Sequence, residues 1–576
     1  MNIKKIKDPI YGYIEIDENI AHNIIDTATF QRLRNIRQTS YAPLYPASVH
    51  NRFIHSIGVY HLGKIAIDAL LKSVKNHSEQ HTRILGDLAE LTGNTMEHFK
   101  SIFELACLLH DVGHSPFSHT GEEFYKTSRS KTLIEERDGE GNNIPYSFRK
   151  HLSQLTKDPV FCTPEGENPG PHEIMSCIVA IESFGKDDHF FKSFEDKAFF
   201  ARCITGIKYK EVCGLEQKHY LEMDVKQHNE VKVKQLQNCL IQILHSSVID
   251  VDRLDYIIRD AATMGYQSVG VDYERLLNGI VLVMEDEYNF TVGFHKNALS
   301  VIENAVYAHD NEKKWIQGHP TIIYDSFLLQ KSIIAIEDRL KQQYPDARST
   351  LFSYDSLTSE GSQFGDTKVR YLGDADLIHL MKNVYPCDYS EEYFNRNLRR
   401  IPVWKSEAEF RNLYSADDRE KISSAIGIIM SGSSDSCAEV NNRAVAAIEA
   451  EIVDAKKQNF ENKVKVQERK KKCFEALLGV CNKHGIKEDV VLISSSFFKS
   501  NFSKGEIQKL IIMFPDGRAP CRLQDVSTTL SSSSPNGGSL IYLFYYPKEG
   551  RGKVNLHEFS ADLLNAFKQA LSICGA

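Results

Sequence analysis

Apolar positions recur at helical spacing through most of residues 1–340. Ile24, Ile25, Phe30 and Leu33 predict a helix over 20–36. Residues 53–71 and 102–109 read as amphipathic or buried helices, and 236–262 as one long helix. Apolar runs at 280–284 and 288–292, split by Glu285-Asp-Glu, predict a small β-hairpin. Asp8-Pro-Ile-Tyr-Gly12 has turn chemistry. Between 127 and 171 the pattern gives way to polar stretches rich in Gly, Pro and Asn, which predict an inserted loop or lid. A weaker helical pattern over 341–437 ends in a connector, Ser431-Gly-Ser-Ser-Asp-Ser436. Residues 438–576 predict a charged helix (438–472), strands at 490–493, 510–514 and 540–546, a Ser/Gly loop at 531–538 and a last helix at 556–571. The expected architecture is mainly α: an all-helical catalytic body with a β-hairpin over 1–340, a helical extension over 341–437, and a small α/β C-terminal lobe over 438–576.

Composition narrows the class. Of 576 residues, 42% are apolar by a count that omits Gly, as in a globular chain. Lys and Arg total 69 against 77 Asp and Glu, a net charge of −8, which argues against a strongly basic nucleic-acid binder. The 12 Cys form no C-x-x-C pair and read as thiols of a reducing compartment. The start resembles no signal peptide and no apolar run is long enough to span a bilayer, so a soluble cytoplasmic protein is expected, without a membrane partner.

Three stretches concentrate chemistry. In His110-Asp111-Val-Gly-His114-Ser-Pro-Phe-Ser-His119, an apolar helix ends in adjacent imidazole and carboxylate groups, followed by two more His. Imidazole with carboxylate suits Mn²⁺, Fe²⁺, Ni²⁺, Zn²⁺ or Mg²⁺; the alternative is a set of buried, hydrogen-bonded His. Asn51-Arg52-Phe-Ile-His55 places a His beside an Arg at the start of an apolar helix. In the third stretch, Asp252, Tyr256 and Asp260 fall at i, i+4 and i+8 on one helical face. Such a stripe either lines a polar cavity or faces solvent.

His55, His110-Asp111 and Asp252, in that order, resemble the HD phosphohydrolase superfamily. The flanks Asp8-Pro-Ile-Tyr-Gly12, Phe30-Gln-Arg-Leu-Arg34, His50-Asn-Arg-Phe-x-His-Ser-x-Gly-Val59, His110-Asp-x-Gly-His-x-Pro-Phe-Ser-His119 and Asp250-Val-Asp252-x-x-Asp-Tyr256-x-x-Arg-Asp260 resemble its dNTP triphosphohydrolase branch. The resemblance implies a metal-dependent hydrolase that converts a dNTP and water to deoxynucleoside and triphosphate. His55, His110, Asp111 and Asp252 would hold one divalent ion (Mn, Fe, Mg, Ni or Zn), with Mg accompanying bound nucleotides. His119 would protonate the leaving 5′ oxygen, oriented by Glu122, which stands where animal members have Asp. His114 and His172 would sit near the phosphates. Arg52 and Arg253 would offset phosphate charge, Arg253 replacing a Lys of the animal members. Gln38, Tyr256 and Asp260 would contact the sugar, clamping its 3′-OH. Thr39 stands where animal members have Leu. An aromatic wall is expected between Tyr307 and His319, with Trp315 and His319 as candidates.

The resemblance further implies regulation. Asp26, Gln31 and Arg34, joined by Lys4 or Lys5, match the residues that bind an activating guanine nucleotide; their alternative is a structural helix. A homo-oligomer, tetramer or hexamer, is expected, and family analogy extends to depletion of dNTP pools in phage defence. Arg469-Lys-Lys-Lys472 reads as a solvated helix face, with single-stranded nucleic acid as its alternative. Two other functions stay open: an HD phosphodiesterase or phosphatase acting on a signalling nucleotide, and a nucleotide-sensing scaffold.

Overall fold

A computed structural model describes residues 3–574 apart from 40–43, 79–92, 127–135, 138–142, 145–147, 163–168, 186–188, 247–248, 267–269, 287, 346–349, 432–436, 488, 496, 504, 515–519, 528–538 and 547–553. The chain divides into two compact units. The first comprises Met1–Glu312, Leu329–Cys387 and Ser500–Ser531; the second comprises Lys313–Leu328, Asp388–Lys499 and Ser532–Ala576. The expected 341–437 extension is thus shared between the units at Cys387. No helix among the described residues is long and apolar enough to cross a membrane.

The first unit opens with an antiparallel hairpin, Ile3–Asp8 against Gly12–Asp17, with Ile6 opposite Ile14. Its turn is the Asp8-Pro motif: the buried Asp8 carboxylate accepts the N–H groups of Ile10 and Tyr11 at 2.7 and 3.0 Å, and Gly12 takes φ +77°. The predicted helix over 20–36 is broken. Helical turns over 18–25 stop at Asp26, and Thr27 caps a new start by accepting the Phe30 N–H. Asp26 therefore lies in a turn, off the helix that carries Gln31.

Helices Arg52–Ser78, Gly93–Leu109, Phe194–Thr205, Val225–Leu244 and Val251–Met264 build the core. The long helix expected over 236–262 is two helices, because Asp250 turns its carboxylate onto the Arg253 N–H and starts a second one. Gly58 sets the closeness of Arg52–Ser78 to Val251–Met264: a Cβ there would collide with the Asp255 carboxylate and the Arg259 guanidinium. The hairpin Ile280–Met284 with Phe290–His295 forms as expected. It extends to four strands, since Ile511–Met513 pairs parallel to Phe290–His295 and antiparallel to Cys521–Arg522. A strand expected in the C-terminal lobe thus belongs to the first unit's sheet.

Part of the expected lid is regular. Phe148–Thr156 is a helix packed on Pro171–Phe184 through the buried Leu152. A short strand pair joins Glu136–Arg137 to Asn143–Ile144. The rest of the lid, most of the Ser431–Ser436 connector and the 531–538 loop fall largely outside the described residues.

The second unit stacks helices Ala416–Met430, Asn442–Lys457, Glu461–Lys483 and Leu556–Cys574 with an antiparallel sheet ordered Cys437–Asn441, Asp489–Ser495, Leu540–Tyr545, Ile401–Pro402. The helix expected over 438–472 is a strand and two helices, reversing near Asn459 with φ +57°. Trp404, Phe410, Phe474, Leu477, Phe544 and Phe559 fill its core. In the basic run, Lys471 pairs with Glu449 at 2.7 Å and Lys470 donates to the Ser431 carbonyl at 2.6 Å, so local partners engage those charges.

Candidate active site

Helix Gly93–Leu109 ends where His110 and Asp111 begin a turn. Gly113 holds that turn against Pro171–Phe184: its N–H donates to Ser176 Oγ at 2.9 Å, and a Cβ would strike the Met175–Ser176 backbone. Buried Arg32 ties the same turn by donating to the carbonyls of Val112 (2.9 Å) and His114 (2.8 Å). Phe117 and Ser118 both adopt positive φ, 57° and 52°, conformations that cost energy and persist where the surroundings fix them. Here Asp374 accepts the Phe117 N–H at 2.7 Å, and Ser118 Oγ donates to the Arg37 carbonyl at 2.5 Å.

Two helix starts and this turn bring the expected ligands together. His55 Nε2 lies 3.3 Å from His110 Nε2, 3.0 Å from Asp252 Oδ1 and 3.6 Å from Asp111 Oδ2. His110 Nε2 lies 3.5 Å from Asp111 Oδ1 and 3.6 Å from Asp252 Oδ1. Both rings point their other nitrogen elsewhere: His55 Nδ1 donates to Asp255 at 2.7 Å, and His110 Nδ1 to the Cys107 carbonyl at 2.9 Å. Their Nε2 lone pairs therefore converge, which is unfavourable unless a cation or proton lies between them. Ligands about 2.1 Å from one ion and at right angles stand about 3.0 Å apart, close to the spacings found. The donor set thus fits a divalent ion of the kind HD domains bind. Asp252, its side chain 39% exposed against 8% or less for the other three, opens the cluster to solvent.

A second layer fixes these ligands. Arg259 holds Asp255 with two hydrogen bonds, 2.9 and 2.8 Å, and reaches Asp8 at 3.0 Å. The N-terminal turn, the third motif and the first His are thereby one chain of contacts. Arg52 donates to Asp111 Oδ2 at 2.7 Å and to Ser118 Oγ at 3.0 Å. Charges follow. Burial alone would lower His55, but hydrogen bonds to Asp252 and Asp255 outweigh it and raise it to about 9. Burial opposes ionisation of Asp111, yet Arg52 and His110 hold it well below the usual carboxylate range.

Beside this lies a cluster of different character. Glu122 sits among His172, in close contact through Nδ1, His119 (3.4 Å from Nδ1) and His114 (4.0 Å from Nε2). The His114 and His172 rings stack with centroids 4.4 Å apart. His114 also lies 3.9 Å from Asp111, bridging the two clusters. Burial, then Arg52, pushes His114 well below its ordinary value, and burial, then His119, does the same to His172. Burial and Arg52 also lower His119, although solvent tempers the effect because its side chain is 69% exposed. It is the imidazole of this cluster that an incoming molecule can reach.

Gln38 is buried with Oε1 unpartnered among the described residues. Tyr256 and Asp260 share the helix face with Asp252. His50 Nε2 lies 2.7 Å from Asp260 Oδ1, though off the line of a hydrogen bond. Burial pushes Asp260 up to about 7 and Tyr256 well above its ordinary value. Arg253 Nε lies 3.5 Å from Asp250. Within this unit the ring that meets Tyr256 is His309, Nε2 to Oη 3.2 Å, which the sequence did not single out against Trp315 and His319. At the expected regulatory residues, Lys4 pairs with Asp26 at 2.8 Å. Gln31 accepts from Arg34 Nε at 2.7 Å, and Arg34 stacks on Phe53. Lys5 pairs with Glu15 at 2.9 Å.

An HD domain profile matches residues 74–152, the stretch holding His110, Asp111 and His119. The Dictyostelium discoideum protein named deoxynucleoside triphosphate triphosphohydrolase SAMHD1 homolog is 26% identical over 351 residues, 59% of this chain and 51% of its own. Human deoxynucleoside triphosphate triphosphohydrolase SAMHD1 is 36% identical over 118 residues, 20% of this chain and 16% of its own. Uncharacterized protein MG461 of Mycoplasma genitalium is 28% identical over 301 residues, 52% of each chain. The chain spans about half the length of these relatives or less. A solved structure of a hypothetical protein from Aquifex aeolicus shares the fold with a TM-score of 0.50 at 17% identity, covering 98% of this chain and all of its own. With the converged His and Asp residues, these matches show an HD domain in this chain and a similarity over it to proteins named deoxynucleoside triphosphate triphosphohydrolases.

Proposed function

We propose that this phosphohydrolase cleaves dNTPs to deoxynucleoside and triphosphate. The observation that carries the reading is the joining of a buried His/Asp cation site, through His114 and Arg52, to a solvent-reachable His119. A divalent ion held by His55, His110, Asp111 and Asp252 would supply positive charge to the phosphoryl oxygens and activate water. Arg52 and Arg253 offset the charge of the triphosphate. Water adds at the α-phosphorus, the bond to the 5′ oxygen breaks, and that oxygen takes a proton from His119. Bound triphosphate opposes the field of Arg52 and so favours the protonated form of His119, which Glu122 orients. Gln38, Tyr256 and Asp260 hold the sugar, with the 3′-OH between Tyr256 and Asp260.

Regulation is part of the proposal. A guanine nucleotide at Lys4, Asp26, Gln31 and Arg34 would exchange the present Lys4–Asp26 and Gln31–Arg34 contacts for base and phosphate contacts in a homo-oligomer, tetramer or hexamer. Coupling of about 1–3 kcal/mol would change activity about 5- to 150-fold. The test incubates metal-loaded protein with each dNTP, singly and in pairs, and separates the products. Deoxynucleoside with triphosphate is expected, at rates higher in pairs than singly and insensitive to pairing in Arg34→Ala. Nucleoside monophosphate as the primary product would instead identify a phosphodiesterase-like activity.

A further inference from the structure

The second unit's chain leaves its sheet after Asp489–Ser495 and returns to it at Leu540–Tyr545. Between them, Ser500–Ser531 belongs to the first unit. That excursion is fastened by Ile511–Met513, paired with Phe290–His295, and by Ser527 Oγ, which donates to Glu303 at 2.6 Å. At its start, Asn501 is buried, and its backbone N–H donates to Asp310 Oδ1 at 2.9 Å. Its side-chain Nδ2 donates to the same oxygen at 2.6 Å and to His309 Nδ1 at 2.9 Å.

We infer that Asn501 is a positioning residue for the substrate's sugar, acting through His309 and Tyr256. The direction of every proton in the relay follows from Asp310. A carboxylate only accepts, so the Asn501 amide must turn its NH₂ toward Asp310, and the second hydrogen of that NH₂ points at His309. His309 Nδ1 is then an acceptor, and the neutral ring carries its proton on Nε2. That proton faces Tyr256 Oη, 3.2 Å away. Tyr256, kept as a phenol by burial, has its oxygen engaged as an acceptor, so its own hydrogen is directed to another partner. Resting on the sugar-contact reading above, that partner is the 3′ oxygen, whose hydrogen in turn goes to Asp260. The excursion therefore supplies a specificity element to a site whose ligands all lie before residue 261, and it does so from a segment spliced between two strands of the second unit.

The test compares KM and kcat for a dNTP and for the matching 2′,3′-dideoxynucleotide in wild type, Asn501→Ala, Tyr256→Phe and the double variant. Loss of one neutral hydrogen bond predicts that Asn501→Ala raises KM about 3- to 10-fold for the dNTP, with kcat changed less. No change is expected for the dideoxynucleotide, and the double variant should match Tyr256→Phe. Equal penalties on both substrates, or full additivity with Tyr256→Phe, would reduce Asn501 to a structural role. If Tyr256→Phe itself leaves the preference for the 3′-OH intact, the sugar-contact reading fails, and the inference with it. Where Asn501→Ala unfolds, His309→Gln, which keeps a donor toward Tyr256, should retain the preference and His309→Leu should lose it; the same result from both would overturn the relay.

Discussion

Around His55 and His110 the neighbours are carboxylates: Asp111, Asp252 and Asp255. Around His114, His119 and His172 the neighbours are imidazoles, with Glu122 between them. The same side chain is pushed in opposite directions. Hydrogen bonds to carboxylates overcome burial and raise His55 to about 9, whereas burial and Arg52 drive His114 far down. The first environment gathers negative charge and fixes His55, His110 and Asp111 each by a second bond. The second, through burial, holds its rings toward the neutral form, as the proton-transfer role proposed for His119 requires. Which atoms surround an imidazole, more than the imidazole itself, sets the direction in which it is pushed here.

The division can be broken by variants, from the largest effect to the smallest. Asp252→Ala or His110→Ala should abolish both metal retention and turnover with the fold intact, exceeding the about 10- to 100-fold typical of outer-layer partners. Metal analysis with rate measurement checks this, and an active, metal-loaded Asp252→Ala would dissolve the distinction. His119→Asn should retain its metal while kcat falls about 10²- to 10⁴-fold; loss of metal would merge the two clusters. Asp255→Asn should weaken metal affinity about 10- to 100-fold by releasing the His55 ring, readable by metal titration.

The smallest effect is one of pH. Burial raises Asp260 to about 7 from an ordinary 3.8, so the folded protein binds a proton that the unfolded chain releases. Stability from that proton is full below the ordinary value and is lost as pH rises toward 7. Asp255 runs the other way: burial opposes its ionisation, but Arg259 and His55 lower it, so its stability is lost as pH falls. Denaturant midpoints across this range should show Asp260→Asn gaining on wild type as pH rises; a constant difference would place Asp260 in an ordinary environment.

Much of this was legible in the sequence because the residues expected to hold an ion sit in short motifs at two helix starts and one helix end. His55, His110, Asp111 and Asp252 converge as the motifs imply, and Asp252, Tyr256 and Asp260 share a face. What fastens them was not legible. Asp255, Arg259 and Asp8 stood inside the same motifs, but the Arg259–Asp8 bond spans 251 positions, and no local pattern reports such a contact. Arg32 stood inside the Phe30–Arg34 motif, which gave no sign that it is buried against the His110–His114 turn. Ile511–Met513 has the pattern of a strand, yet a strand's pattern does not name its partner, and chain order assigned it to the wrong sheet. Thr27 and Asp250 broke the predicted helices because a capping side chain outweighed continuous apolar spacing.

The most direct measurement runs the reaction of metal-loaded protein on a dNTP in H₂¹⁸O. Attack at the α-phosphorus with His119 protonating the 5′ oxygen should place the label in triphosphate and leave the deoxynucleoside unlabelled. Deoxynucleoside monophosphate with pyrophosphate as the primary products, or label in the nucleoside, would contradict it.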